Sequence, residues 1–181
     1  TNPRICHHLH IPIQSACDKT LERMNRPYTV AQYKERLEYI RSQIPDISVS
    51  TDVICGFVQE SEEEFQTTIE NLKDLQFSFL HVFPYSKRDG TKASFMKGEV
   101  NGKIAKQRVS ALLSMSKELR KKDMERFQPV QVLIETHNGN TYTGYTNHYH
   151  PITIESETPL SGRITVPWDT ITENGYYARK V

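Results

Sequence analysis

The sequence has no apolar run approaching the roughly 18 residues needed to span a bilayer, and its start, TNPRICHHLHIPI, lacks the charged-then-apolar-then-small layout of a secretory signal. The cytoplasm is therefore the expected location, with no membrane partner. Cysteine is scarce and poorly placed. Cys6, Cys17 and Cys55 are an odd number, at spacings that match neither a disulfide framework nor a C-x-x-C zinc site, so reduced buried thiols are expected. Net charge is nearly absent as well: a total of +1 points to neither a nucleic-acid partner nor an acidic substrate, and only the local distribution of charge can do so. What remains is an ordinary composition over 181 residues, enough for one large domain or two small ones with a real core. Asn2-Pro3 runs at once into a strand-like stretch, which makes a fragment of a longer protein the expectation.

Leu9 to Ile13 alternates apolar residues with His10 and Pro12, which predicts a short strand ended by the turn Gln14-Ser15-Ala16. After a linker, Thr29 and Gln32 form a capping box, Tyr28 and Tyr33 take the staple positions, and Tyr33, Leu37, Ile40 and Ile44 give a buried stripe ended by Pro45. Ile47 to Cys55 reads as a strand covered on both faces and broken by Gly56. Ser61 and Glu64 form a second capping box; Glu62, Glu63 and Glu64 suit the positive helix end, and Phe65, Ile69, Leu72 and Leu75 form its stripe. Phe77 to Phe83 supplies a third strand, ended by Pro84 and the turn Asp89-Gly90. Strand, helix, strand, helix, strand, helix is the order of parallel βα units.

The third long helix, about Lys103 to Arg126, is locally basic, with Lys103, Lys106, Arg108, Lys117, Arg120, Lys121, Lys122 and Arg126 against three acids. A solvated face over Val109, Leu112, Met115 and Leu119 is one reading; attraction to an RNA backbone is the other, if a second surface completes the patch. Beyond Pro129 short β-type runs appear at Val130 to Glu135, Tyr142 to Tyr149, Ile152 to Ile154 and Arg163 to Val166, predicting a small all-β domain. It holds five of the nine tyrosines, Tyr142 and Tyr145 among them, and the single tryptophan, Trp168, so its aromatics either fill its core or stack on bases.

The blocks HLHIPIQSACDKTLERMNRPYT, TDVICGFVQESEEEF and HVFPYSKRDGTKA resemble, in order and spacing, three consecutive blocks of the radical-SAM methylthiotransferases. Gln128 to Val181 resembles the TRAM domain that closes those enzymes, a small RNA-binding β-barrel. The resemblance implies an α/β plus all-β chain. Residues 1–126 would be the C-terminal part of an incomplete (β/α)6 barrel, and 127–181 the TRAM barrel. It implies S-adenosylmethionine as cofactor, tRNA as partner, and two [4Fe–4S] clusters in the intact protein. Function follows as an expectation: methylthiolation of a modified adenosine beside a tRNA anticodon, with threonylcarbamoyladenosine favoured by MNRPYT and FSFLHVFPYSKRDGT. Isopentenyladenosine, a ribosomal-protein aspartate, or a non-catalytic RNA-binding role stand as alternatives.

The candidate cofactor contacts are Gln14, Ser15, Asp52, Ile54, Gly56 and Glu60, all at or just after strand ends, where βα loops converge in such barrels. Gln14 and Ser15 match the family's P-x-Q-S-G, while Asp52, Ile54 and Gly56 match its adenine-flanking strand. Each has a plain alternative, a turn or a buried strand ended by glycine. Arg23 and Arg26 resemble the family's M-x-R region and suit a carboxylate or phosphate, or a salt bridge. Tyr85, Ser86 and Arg88 face the substrate or close the loop. The RNA candidates are Arg120, Lys121, Lys122, Arg126, Tyr142 and Tyr145.

Two cofactor-side departures stand out: Ala16-Cys17 where the family has G-S, and Val58-Gln59 where it has P-G. An alanine at a position needing positive φ would be costly, so either that position is ordinary or the loop is shifted. His7, His8, His10 and His81 lack partner ligands at metal spacing, so structural roles are expected and no metal site. The family's C-x-x-x-C-x-x-C triplet is also missing. The chain alone is therefore expected to be inactive, and to self-associate through exposed half-barrel edges.

Overall fold

Residues 5–180 are described by a computed structural model; the Asn2-Pro3 opening lies outside them. The elements are β1 (His8–His10), α1 (Asp18–Arg23), α2 (Val30–Gln43), β2 (Ser48–Cys55), α3 (Glu62–Leu75), β3 (Phe79–Pro84) and α4 (Gly102–Met124), followed by six strands. These are β4 (Val130–Asn138), β5 (Thr141–Thr146), β6 (Pro151–Ser156), β7 (Arg163–Val166), β8 (Thr170–Thr172) and β9 (Gly175–Lys180). Two compact units emerge. One comprises the segment ending at Leu9, Asp46–Ser48 and the chain from Arg120 onward; the other comprises His10–Pro45 and Val49–Leu119.

The helix starts follow from local chemistry. Thr29 and Gln32 close a capping box on α2, and Ser61 and Glu64 close one on α3, each pair satisfying two backbone donors that a helix start leaves free. The sheet order is β1-β2-β3, with β2 and β3 parallel from Ser50 opposite Phe79 to Cys55 opposite Pro84. Along β2, Val49, Thr51, Val53 and Cys55 are all buried, whereas Asp52 and Ile54 are only half-buried. The two-residue side-chain period therefore gives the C-terminal end of this strand one packed face and one open face.

Several expectations shift. The first strand is His8–His10, not Leu9 to Ile13, and Gln14 rejoins the sheet only as a single parallel bridge to Val53. The supposed linker contains α1, a helix too short to show a hydrophobic period. The Tyr142 to Tyr149 run stops as a strand at Thr146, and strong turn residues crowd β8 and β9 so that no strand pattern marks them in the sequence. Arg108, counted with the basic surface of the third helix, is buried and paired with Glu60 and Glu62.

In the C-terminal unit the strand order is β7-β4-β5-β6-β9-β8, antiparallel except for β6 with β9. Its core gathers Met124, Val130, Val132, Tyr142, Ile152, Ile154, Val166 and Tyr176. At Gly144 a β-carbon would collide with the Leu133 carbonyl, so only glycine lets β4 and β5 approach there. A buried carboxylate gathers the unit's other segments. Asp123 Oδ2 accepts from Ser48 Oγ at 2.5 Å and pairs with His150 Nε2 at 2.7 Å, while Asp123 Oδ1 accepts from Arg126 at 2.5 Å. Burial weighs against this charge, yet hydrogen bonds from His150 and Ser48, with Arg126 nearby, hold the carboxyl below its ordinary value.

Removing that carboxylate takes away the partner of His150 Nε2 and of the buried Ser48 hydroxyl. Asp123→Ala is expected to lower the unfolding free energy by about 3 kcal/mol, read by urea denaturation with the fluorescence of Trp168, whose indole N–H donates to Phe127 O. A loss below about 1 kcal/mol would show that the network contributes little.

Candidate functional site

The ends of β2 and β3 and the loops that follow them border a cavity of about 840 Å³, within the range that binds small molecules and cofactors. Gln14, Asp52 and Ile54 line it, and so do Arg23, Arg26, Tyr85, Ser86 and Arg88. Eight candidates from four separate stretches of sequence thus converge on one space.

Gln14 reaches the cavity through an uncommon backbone. Its φ is 67°, and Ser15 N donates to Ile13 O at 2.8 Å around it, which closes a tight three-residue turn. The same residue is locked to β2, its N–H donating to Asp52 O and its carbonyl accepting from Ile54 N. Strain of this kind is tolerated where surrounding structure over-determines it. Ala16 is not among the positive-φ residues, so the alanine departure is harmless and the left-handed residue is Gln14.

The second departure has the opposite outcome. Glu60 N donates to Phe57 O, closing a four-residue turn whose third residue, Gln59, has φ 63°, where such turns favour glycine. Gln59 bears that strain while its backbone N–H donates to Gly98 O and its Nε2 donates to Lys97 O, both at 2.8 Å.

Three cofactor candidates lie behind the cavity wall. Ser15 is fully buried, its Oγ accepting from Cys17 N. Gly56, at φ 74°, is close to Ala105, whose β-carbon would lie 3.2 Å from an added one; its close approach is to a helix. Glu60 is buried, accepting from Gly56 N at 2.7 Å and Arg108 Nη1 at 2.7 Å. Burial pushes its carboxyl up from the ordinary value, and the Gly56 N–H and Arg108 offset part of that. Glu60 holds the loop; it is a positioning residue.

Arg23 is largely committed. Its terminal nitrogens grip Glu64 bidentately at 2.8 and 2.5 Å, which realises the salt-bridge alternative and ties α1 to the capping box of α3. That hydrogen bonding, above all, holds the Glu64 carboxyl below its ordinary value. Arg23 Nε and Tyr85 Oη are buried atoms without a hydrogen-bond partner among the described residues. Tyr85 stands edge-on to Phe57, with ring centroids 4.8 Å apart. Arg26, Ser86 and Arg88 are exposed at the cavity. Phe57, Phe83 and Asn25, outside the sequence candidates, also line it. Position directly after or at the end of a strand was the available signal for the two phenylalanines, and a tolerance for left-handed backbone, here φ 57°, for the asparagine.

The RNA candidates divide. Lys121 and Lys122 are exposed. Arg120 is half-buried, and burial pulls its guanidinium below the ordinary value. Arg126 pairs with Asp123 and lies 4.9 Å over the Phe127 ring. Tyr142 is a core residue, only 7% exposed. Tyr145 is 38% exposed and stacks on the exposed Tyr149 at 5.0 Å, which stacks in turn on His8 at 4.9 Å.

A model of the Radical SAM superfamily matches residues 3–72. The threonylcarbamoyladenosine tRNA methylthiotransferase MtaB of Bacillus subtilis is 38% identical over 168 residues, 89% of this chain and 37% of that protein. A tRNA-2-methylthio-N(6)-dimethylallyladenosine synthase of a Hydrogenobaculum species is 40% identical over 146 residues, 80% of this chain and 34% of that protein. The MtaB of Thermotoga maritima is 41% identical over 118 residues, covering 65% of this chain and 27% of its own length. The chain spans about a third of the length of the curated relatives it matches. With its radical SAM match and these relatives, the chain belongs to the radical-SAM methylthiotransferase family.

Proposed function

We propose that the chain supplies the cofactor- and nucleoside-facing part of a cytoplasmic tRNA methylthiotransferase, residues 1–126 as part of its (β/α)6 barrel and 127–181 as an RNA-binding TRAM barrel. The observation that carries this reading is the convergence of Gln14, Asp52 and Ile54 with Arg26, Tyr85 and Arg88 on one cavity. The cavity fits S-adenosylmethionine: Ile54 and Phe57 offer apolar surface for a purine, Asp52 offers an acceptor, and Tyr85 Oη and Arg23 Nε are unmet donors. When bound, that cofactor supplies the radical that removes hydrogen from the C–H bond to be methylthiolated. The residues here hold and orient it and shield it from water.

The three cysteines do not fit a four-iron cluster. Cys6 is exposed while Cys17 and Cys55 are buried, and burial pushes the Cys55 thiol up to about 11, far from the thiolate that ligates iron. After anaerobic iron–sulfide treatment the 181-residue chain is expected to stay colourless; a brown sample with about four irons per chain would overturn this. Whether the reading frame upstream of Thr1 encodes the cysteine triplet separates the enzyme from a non-catalytic RNA-binding module. The exposed Leu9 and Phe83 fit self-association of the isolated chain.

Cations favour one nucleoside over another. Arg26, Arg88 and Lys92 line the cavity, suiting the carboxylate of threonylcarbamoyladenosine and offering nothing to an apolar dimethylallyl group. An anticodon stem-loop carrying threonylcarbamoyladenosine is expected to bind at least about tenfold tighter than one carrying isopentenyladenosine, with Arg26→Ala plus Arg88→Ala erasing the preference. The reverse order of affinities would favour the isopentenyl substrate.

The exposed Lys121 and Lys122, with the exposed Tyr145, fit a non-specific RNA surface. Replacing Arg120, Lys121 and Lys122 by Ala is expected to flatten the salt dependence of tRNA binding by about one unit per lost phosphate contact. Most of the effect should come from the two lysines, since Arg120 is half-buried. Unchanged affinity in an anisotropy titration at low salt would remove that helix from the RNA path.

A further inference from the structure

His148 is the least explained side chain of the C-terminal unit. It is 7% exposed, and neither ring nitrogen has a hydrogen-bond partner among the described residues. A neutral imidazole carries one donor and one lone pair, so both needs go unmet in a place that water does not reach. The ring is nonetheless held firmly. It lies flat against Phe127, with centroids 3.6 Å apart and planes 12° apart. Its backbone N–H donates to Thr146 Oγ1, in a turn that Thr146 N closes on His150 O and that forces Tyr149 to φ 63°. A bulky residue in the left-handed region marks a turn that surrounding structure over-determines.

What the ring meets is a second imidazole and a carboxylate. His148 Nε2 lies 3.7 Å from Asp46 Oδ2, and the same oxygen lies 2.7 Å from His7 Nδ1. The His7 and His148 rings stand edge to face at 6.1 Å. Backbone pairing supports the placement, since Ser48 N donates to His7 O at 2.9 Å and brings His7 beside the start of β2, two residues past Asp46. One nitrogen from each histidine and one Asp46 oxygen all lie within 4.8 Å of one another.

We propose that His7, Asp46 and His148 form a binding site for one first-row divalent cation of the zinc type. The spacing suits it: ligand bonds of about 2.0–2.2 Å in a tetrahedral arrangement put donor atoms about 3.4 Å apart, a value bracketed by the 2.7 and 3.7 Å separations here. The donor set suits it also, because two imidazoles and one carboxylate bind zinc-like ions and leave further positions to water or another ligand. An ordinary ion pair accounts for His7 with Asp46, but it leaves His148 aimed at the pair with nothing to bond. Burial, first of all, lowers the His148 pKa to about 4, which keeps its ring neutral and its lone pair available. Local spacing hid the site, since the carboxylate partner of His7 is 39 residues away.

The test uses the 181-residue chain stripped with chelator and titrated with Zn2+ by calorimetry, with Co2+ absorption as a second probe of tetrahedral coordination. One Zn2+ per chain is expected. Asp46→Asn and His148→Phe, the latter keeping a flat ring against Phe127, should each weaken it by at least about 100-fold, while His137→Ala, outside the cluster, should leave it unchanged. Metal-free melting followed by Trp168 fluorescence reports whether each variant is folded. If His148→Phe is not, the exposed Asp46→Asn decides alone. No saturable Zn2+ binding to the parent chain, or undiminished binding in a folded Asp46→Asn or His148→Phe variant, would overturn the proposal.

Discussion

A carboxylate that is 4% exposed at the mouth of a strand must be neutralised or hydrogen-bonded, and the way Glu60 meets that requirement organises the cavity end of the molecule. Its oxygen takes the Gly56 N–H and the Arg108 guanidinium together, while Arg108 also reaches Glu60 O and Glu62 and lies 5.0 Å over the Phe65 ring. The loop after β2 is thereby fixed to α4 on one side and to the start of α3 on the other. Phe57 rides on that loop and supports Tyr85 edge-on, so the cavity wall inherits its shape from a buried ion pair that never faces the cavity.

A second ion pair does the same from the opposite side. Glu64 serves at once as the reciprocal half of the α3 capping box and as the partner of Arg23. Helix capping and site geometry are therefore one interaction here: Glu64 fixes the Ser61 N–H with the same carboxylate that orients the Arg23 side chain along the cavity. The terminal nitrogens of Arg23 are occupied, whereas Arg26, Arg88 and Lys92 are exposed at the cavity.

How much of this could be read from residues alone depended on range. Both capping boxes, the Pro45 stop and the parallel pairing of β2 with β3 were legible because they rest on neighbours within a turn or on a strand–helix alternation. The site was half legible. Gln14, Tyr85 and Ser86, just past strand ends, line the cavity, and the two-residue period of β2 explains why Asp52 and Ile54 line it while Val53 and Cys55 are buried. Proximity to a strand end could not tell lining from support, so Ser15, Gly56 and Glu60 were grouped with residues that they only hold in place. Charge is hidden from local sequence for the same reason. Arg108 and Arg120 look like members of a solvated basic face until acids or tyrosines distant in sequence fold against them. No local pattern records that His7 and Asp46 belong with the C-terminal strands, because that association exists only in three dimensions.

Gln59 has a mechanical consequence. Its side chain and backbone bind Lys97 and Gly98, which end the stretch that begins at Tyr85 and includes the cavity-lining Arg88, Thr91 and Lys92. At the other end of that stretch, Tyr85 N is fastened to Cys55 O at 2.9 Å. The lip of the cavity is thus a strap pinned at both ends to the loop and strand end that also carry Phe57. A glycine at position 59 would ease the turn and give up the side-chain bond to Lys97, leaving only the backbone bond to Gly98 at that end. The glutamine accepts a strained backbone in exchange for a fixed span between the two anchors.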